Sequence, residues 1–191
     1  TNLDSGVAAT KASVEALINT APGKTGDKIR VLLNDSNKIT AVYLTTSDLH
    51  KVTAVSGKKV SIAGIGTVDT SENNSTVYDG VKKDDVVVVT KLYKPAVADA
   101  TFVIEKAVSV TGKLTGYTGT KSVKVDGTSY PQYAKAAFKP NLTDDYKTSL
   151  SSDDVDDEVT VYLVNGYARA IQKNSDDMNQ YAIVVDRAGD G

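Results

Sequence analysis

The side chains of this chain that could take part in catalysis or bind a metal are mainly carboxylates. Asp153, Asp154, Asp156 and Asp157 lie within one short stretch. Several carboxylates that converge can bind a hard cation such as Ca²⁺, so these four are candidate metal ligands and calcium is the one cofactor they suggest. Their spacing lacks the turn glycine and the alternating ligand positions of a calcium loop. We therefore favour a solvated acidic surface with no cofactor, and a calcium site is the alternative.

Two other features could suggest catalysis or phosphate binding. His50 is the only histidine, and no pattern in the sequence brings it a nucleophile and an orienting acid. We therefore interpret it as a solvated linker residue. Gly23-Lys24-Thr25 matches the end of a phosphate-binding loop motif. Ile18, however, occupies the position of the first glycine of that motif, and a strand is expected after it instead of a helix. We predict that the chain is not an enzyme.

Composition excludes several classes of partner. The formal net charge of −2 gives no basic field for nucleic acid. No apolar run reaches the roughly 18 residues that membrane insertion needs. The absence of cysteine excludes disulfides, thiol catalysis and cysteine-bound metals. A cysteine-free composition rich in Thr, Ser, Asn, Asp and Lys favours an exported, extracellular bacterial protein.

The elements that must position these residues follow an internal repeat. One pattern occurs three times. It consists of an acidic or Gly-Asp step, a strand with alternating apolar residues, a polar turn and a second strand. The three strands begin with GDKIRVLL at 26–33, DDVVVV at 84–89 and DDEVTVYL at 156–163. A repeat of this kind indicates serial copies of one supersecondary unit.

The repeat spacing predicts an all-β fold of tandem small β-barrel or sandwich units, with one short N-terminal helix from Asp4 to Thr20. Residues 1–51 form an incomplete first unit of that helix and a closing hairpin. Residues 52–107 form the second unit and residues 108–173 the third. Residues 174–191 start a further unit or form a tail.

Each small unit buries little surface, so we expect neighbouring units to stabilise one another through apolar junction residues. The predicted junction residues are Leu44, Leu49, Val52, Tyr93, Val108 and Ile171. Ten tyrosines bring both an apolar ring and a hydroxyl. Tyr117, Tyr130, Tyr133 and Tyr167 are candidates for a ligand-binding sheet face if they share one exposed groove.

The segments DEVTVYLVNGYARAI at 157–171 and YAIVVD at 181–186 resemble the serial β-domains of S-layer-homology-containing surface proteins of clostridial-type Gram-positive bacteria. The resemblance implies a secreted cell-surface protein of the cell wall or S-layer, in which this segment is a non-catalytic spacer or lattice-forming element. Its partners would be neighbouring domains, further copies in a surface lattice and cell-wall polysaccharide. The alternative is a carbohydrate- or ligand-binding β module of an adhesin.

Overall fold

The computed structural model describes residues 12, 26–71, 75–92, 101–119, 121–133, 142 and 146–174. These residues are mainly β-strand in curled sheets, which confirms the all-β prediction. The helix predicted from Asp4 to Thr20 lies outside the described residues apart from Ala12, and so does the segment 181–186. No helix in the described part of the chain is long and apolar enough to cross a membrane.

An N-terminal hairpin opens the described chain. Strand β1 (Lys28–Leu33) pairs antiparallel with β2 (Ile39–Thr45), as the sequence predicts. The turn is held by the Asn34 side chain, whose Oδ1 accepts hydrogen bonds from the backbone N–H groups of Ser36 and Lys38 at 3.0 and 2.9 Å. An Asx-type turn of this kind explains why Asn begins the loop.

Two six-stranded sheets follow, one for the second unit and one for the third. The second unit contains β3 (Ser47–Ser56), β4 (Lys59–Ile62), β5 (Gly66–Asp69), β6 (Thr76–Val77), β7 (Val86–Leu92) and β8 (Thr101–Lys106). The third contains β9 (Val108–Thr118), β10 (Ser122–Val125), β11 (Thr128–Pro131), β12 (Tyr146–Lys147), β13 (Glu158–Val164) and β14 (Tyr167–Lys173). Their orders, β5-β4-β3-β7-β8-β6 and β11-β10-β9-β13-β14-β12, are the same.

The long first strand of each unit bends between two partners. The start of β3 pairs with β7 and its end with β4, while β9 divides in the same way between β13 and β10. After the third strand, a short segment runs parallel to the last strand, through Thr76 and Val103 in one unit and Gln132 and Ala168 in the other. Each sheet therefore curls towards closure as a small barrel.

Local details repeat as well. Lys51 pairs with Asp84 at 3.0 Å, and Lys113 pairs with Asp156 at 2.9 Å. Each pair joins the first strand of its unit to the acidic step before the fifth strand, which is β7 in the second unit and β13 in the third. Both aspartates have left-handed backbone, with φ of 72° and 77°, and Gly26 has φ of 102° at the matching place before β1. The three sequence segments therefore share one backbone shape, and β1 and β2 correspond to the last hairpin of a unit.

The predicted boundaries meet this architecture differently. The one between residues 107 and 108 falls where Ala107 alone separates β8 from β9, and the one after 173 falls at the end of β14. The boundary between residues 51 and 52 falls inside β3, because Ser47 to Lys51 already pair with β7. The sheet of the second unit therefore starts at Ser47 rather than at Val52.

Each unit has its own apolar core. The core of the second contains Val52, Val60, Ile62, Val68, Val87, Val89 and Ile104. That of the third contains Leu114, Val123, Val125, Val159, Val161, Leu163, Ala168 and Ile171. The run Val86 to Val89 is buried on both faces, since Val87 and Val89 join the core while Val86 and Val88 pack towards the third unit.

Candidate functional site at the unit junction

The most buried of the candidate metal ligands is Asp154, which lies in a single 3-10 turn (Ser152–Asp154) and is 4% exposed. Its carboxylate contacts the Lys147 ammonium and accepts a hydrogen bond from the Ser151 backbone N–H at 2.8 Å. Burial raises the pKa of this carboxyl, but the bonds from Lys147 and Ser151 outweigh burial and leave the pKa below its usual value. Asp154 therefore acts as a structural anion.

The other three candidates do not converge with it. Asp156 pairs with Lys113 at 2.9 Å, Asp157 pairs with Lys173 at 2.7 Å, and Asp153 is exposed. Within the described residues, no group of three or more His, Asp or Glu side chains is placed to hold a metal ion. Asp154, Asp156 and Asp157 each pair with a different lysine. These lysines compensate the negative charge that a shared cation would otherwise compensate.

His50 is not a solvated linker residue, so that prediction is wrong. It lies inside β3, is only 5% exposed, and its Nδ1 is 2.8 Å from the carbonyl oxygen of Ala63. A carbonyl can only accept, so Nδ1 carries the proton and donates. The bond ties the first strand to the turn between β4 and β5.

The second and third units meet at a cluster of buried apolar side chains, here called the junction. The second unit contributes Leu49 and Val86. The third contributes the larger share, which is Tyr133, Leu142, Tyr146, Val164 and Ala170. Tyr146 also packs against the ring of Tyr162 at 5.8 Å between centroids.

A partly buried ion pair crosses the junction. Arg169 on β14 donates to both oxygens of Asp48 on β3, from Nε at 2.8 Å and from Nη2 at 3.1 Å. The Arg169 side chain is 11% exposed, and its guanidinium carbon lies 5.6 Å from the centroid of the Tyr133 ring. A two-point bond from a planar guanidinium fixes direction as well as distance, so this contact sets the orientation of one unit against the other.

Tyr133 also links the N-terminal hairpin to the junction. Its hydroxyl lies 2.8 Å from the Ser47 carbonyl oxygen and also contacts the Asp27 carboxylate, so one proton serves two acceptors. Burial first, and then the bond to Asp27, raises the pKa of Tyr133, which stays protonated at neutral pH. Asn165 donates from Nδ2 to the Gly26 carbonyl at 2.8 Å. Three parts of the fold therefore meet around one phenol.

The predicted junction residues are placed unevenly. Leu49 lies in the junction as expected, whereas Val52 and Ile171 lie in the cores of the second and third units. Val108 is 65% exposed, so the prediction is wrong for these three. Tyr93 and the side chain of Leu44 lie outside the described residues. A strand that alternates between two apolar environments gives no sign of which face meets a neighbour.

The candidate ligand-binding tyrosines do not share one exposed groove. Tyr133 and Tyr167 pack at the junction, while Tyr117 and Tyr130 pack against the core of the third unit. The sequence analysis missed the Asp48–Arg169 pair. Its signal is an arginine between alanines in a strand otherwise made for burial, because a buried charge needs a partner.

Comparisons with family models, with curated proteins and with solved structures found no match for this chain.

Proposed function

We propose that this chain is a non-catalytic structural segment of a secreted bacterial cell-surface protein of the S-layer type. In this role it is a stiff spacer or a lattice-forming element. The observation that carries the proposal is the junction, in which a one-residue connection, a buried apolar cluster and a two-point salt bridge join two copies of one unit. Mechanical stiffness of a tandem array requires such a contact, because short flexible linkers alone leave domains mobile.

Two features support stiffness. Ala107 alone joins the last strand of the second unit to the first strand of the third. The Asp48–Arg169 bond and the apolar cluster then restrict rotation about that connection. The placement of the tyrosines also supports the structural role over the alternative of an adhesin module, because a sheet face for carbohydrate would present them together in a groove.

Residual dipolar couplings measured by NMR test stiffness directly. In the whole chain, the second and third units are expected to share one alignment tensor. Arg169→Ala is expected to give the two units separate tensors while each stays folded. Lys59→Ala is the matched control, because Lys59 makes an exposed 3.9 Å contact with Asp69 far from the junction. Separate tensors in the unmodified chain would refute the proposed stiffness.

Spacer and lattice element are distinguished by light scattering and negative-stain microscopy of the purified chain, with calcium and with a chelator. Ordered sheets or concentration-dependent oligomers indicate lattice formation. A rigid monomer indifferent to calcium indicates a spacer. A calcium-dependent assembly would show that the acidic stretch binds the ion in an assembled state.

A further inference from the structure

A cleft of about 300 Å³ opens where the second unit faces the N-terminal hairpin and the third unit. Its polar and aromatic lining includes Asp27, Asp48, His50, Lys91, Phe102 and Tyr133. The volume is at the lower end of the range for small-molecule sites, and the mouth of a barrel is a usual place for one. The cleft is therefore large enough for one small ring.

Strand alternation explains why polar side chains line this cleft. Asp48 and His50 lie on the same face of β3 as Val52, which belongs to the core of the second unit. On the facing strand, Lys91 continues the face that carries Val87 and Val89. The cleft is thus the open end of the barrel interior. At this end the inward-facing side chains are charged or polar, whereas those further inside are apolar.

The third unit provides an internal comparison. Matching its repeated Lys–Asp pair with that of the second unit places Val110 where the second unit has Asp48, and Leu163 where it has Lys91. In the third unit, Leu163 belongs to the core and Val110 packs against it. Apolar residues therefore suffice for the fold at these places. Asp48 already has the task of binding Arg169, and Lys91 is exposed. A lysine in the place of a core leucine therefore points to a task for Lys91 in the cleft.

His50 offers an acceptor to the cleft. Its Nδ1–H is committed to the Ala63 carbonyl, so Nε2 of the neutral ring can only accept. Among the described residues, that Nδ1 contact is the one hydrogen bond that the His50 side chain makes. The side chain is about nineteen-twentieths buried, at 5% exposed, and it lines the cleft. A ligand hydroxyl is a suitable donor for this nitrogen.

The remaining groups narrow the class of ligand. Asp48 Oδ2 accepts one bond from Arg169 and keeps a second lone pair, whereas Lys91 at the rim can donate. Ile65 and Phe102 add apolar wall. A sugar ring has hydroxyls that both donate and accept, together with an apolar C–H face. A simple amine would meet repulsion from Lys91, and the carboxylates of Asp27 and Asp48 that could attract it are already bound to Tyr133 and Arg169. We propose that the mouth of the second unit binds one sugar residue of a saccharide.

The single histidine makes the test direct. The ring nitrogens of His50 are followed by ¹⁵N NMR while the whole chain is titrated with the methyl glycosides of glucose, galactose, mannose and N-acetylglucosamine. At least one glycoside is expected to shift the Nε2 signal and saturate. Lys91→Leu, which installs the third unit's residue, is expected to weaken binding about tenfold, the effect of one charged hydrogen bond. Lys83→Leu, at an exposed loop position, is the matched control and should bind as the unmodified chain does.

Three outcomes would overturn the proposal. The first is a folded chain in which none of the four glycosides gives a saturable shift. The role of His50 would then be only structural, to bind the turn at Ala63. The second is a response to methylammonium in place of the glycosides. The third is an equal loss of binding in Lys83→Leu and Lys91→Leu. None of these outcomes changes the dipolar couplings, so the stiffness of the junction is judged separately.

Discussion

Arg169 on β14 and Asp48 on β3 form a two-point salt bridge across the junction, although 121 residues separate them in the chain. The Leu49 backbone N–H also donates to Asp48 Oδ1 at 2.8 Å. The carboxylate is thus held from its own strand before the second unit meets the third. This preorganisation lets one charged pair fix the direction of a whole unit.

Breaking this pair should destabilise the chain. Arg169→Ala leaves Asp48 in a partly buried place without its partner, so the free energy of unfolding should fall by about 1–3 kcal/mol. Urea denaturation of the two single variants Arg169→Ala and Asp48→Ala, and of the double variant, measures the coupling. The exposed pair of Lys59 and Asp69 is the control, and its removal should change stability by about 0.5 kcal/mol or less. Equal effects at both pairs would contradict the assigned role.

A charge in the core of the third unit should unfold it. Val161 is fully buried on β13, and Val161→Asp places a carboxylate there without a partner, at a cost of about 4 kcal/mol or more. Thermal melting followed by circular dichroism should show loss of the third unit's transition. Lys124→Asp, on an exposed face of β10, should melt as the unmodified chain does. An unchanged melt of Val161→Asp would refute the strand assignment.

The strands were predictable because their signals are local. Asp126-Gly127 and Asn165-Gly166 have the residue types of two-residue hairpin turns, and both pairs have the positive φ that such turns need. The equivalence of the second and third units followed from the repeated acidic step and its strand. Such features depend on neighbours in sequence, and a single sequence displays them.

The junction and the cleft were not predictable because they depend on distant residues. Ser47 to His50 lack apolar alternation, so they resembled a linker, although their pairing with β7 and contact with the third unit make them strand. The burial of His50 follows from the Ala63 turn, and that of Tyr133 from the approach of the N-terminal hairpin. Contacts between residues far apart in the chain produce no hydrophobic periodicity in the sequence.

Acid should weaken the chain through Asp154. Its pKa is lowered in the folded state below the usual value of 3.8, so its contribution is complete above that value and is lost as the pH falls through the folded pKa. Asp154→Asn should cost about 1–2 kcal/mol at neutral pH, and the difference from the unmodified chain should shrink in acid. Urea denaturation between neutral pH and pH values below 3.8 measures this. Asp153→Asn, at the exposed neighbouring position, should be nearly neutral throughout, and a constant deficit for Asp154→Asn would contradict the ionic role.

Gly26 should be essential for docking of the N-terminal hairpin. Its φ is 102°, and a Cβ atom there would lie 2.0 Å from a ring carbon of Tyr133. Gly26→Ala should therefore expose β1 and β2 to faster amide hydrogen exchange. Gly80→Ala is matched for backbone strain, with φ of 80°, but a Cβ there meets nothing within 4 Å. Gly80→Ala should cost only the roughly 1–2 kcal/mol of the left-handed backbone. Equal exchange of the hairpin in both variants would show that contact with Tyr133 does not hold it.

The repeat predicts which substitutions of Asp156 preserve the stability of the chain. Its backbone is left-handed, with φ of 77°, and the matching place before β1 is occupied by Gly26. Asp156→Gly loses only an exposed contact with Lys113 and relieves the backbone, so the free energy of unfolding should change by less than about 1 kcal/mol. Asp156→Val keeps a Cβ and adds branching, so it should cost about 2 kcal/mol. Urea denaturation of both variants measures the difference, with Asp153→Val as the control for an exposed valine. If the glycine variant were the less stable of the two, the ion pair rather than the backbone would determine this position.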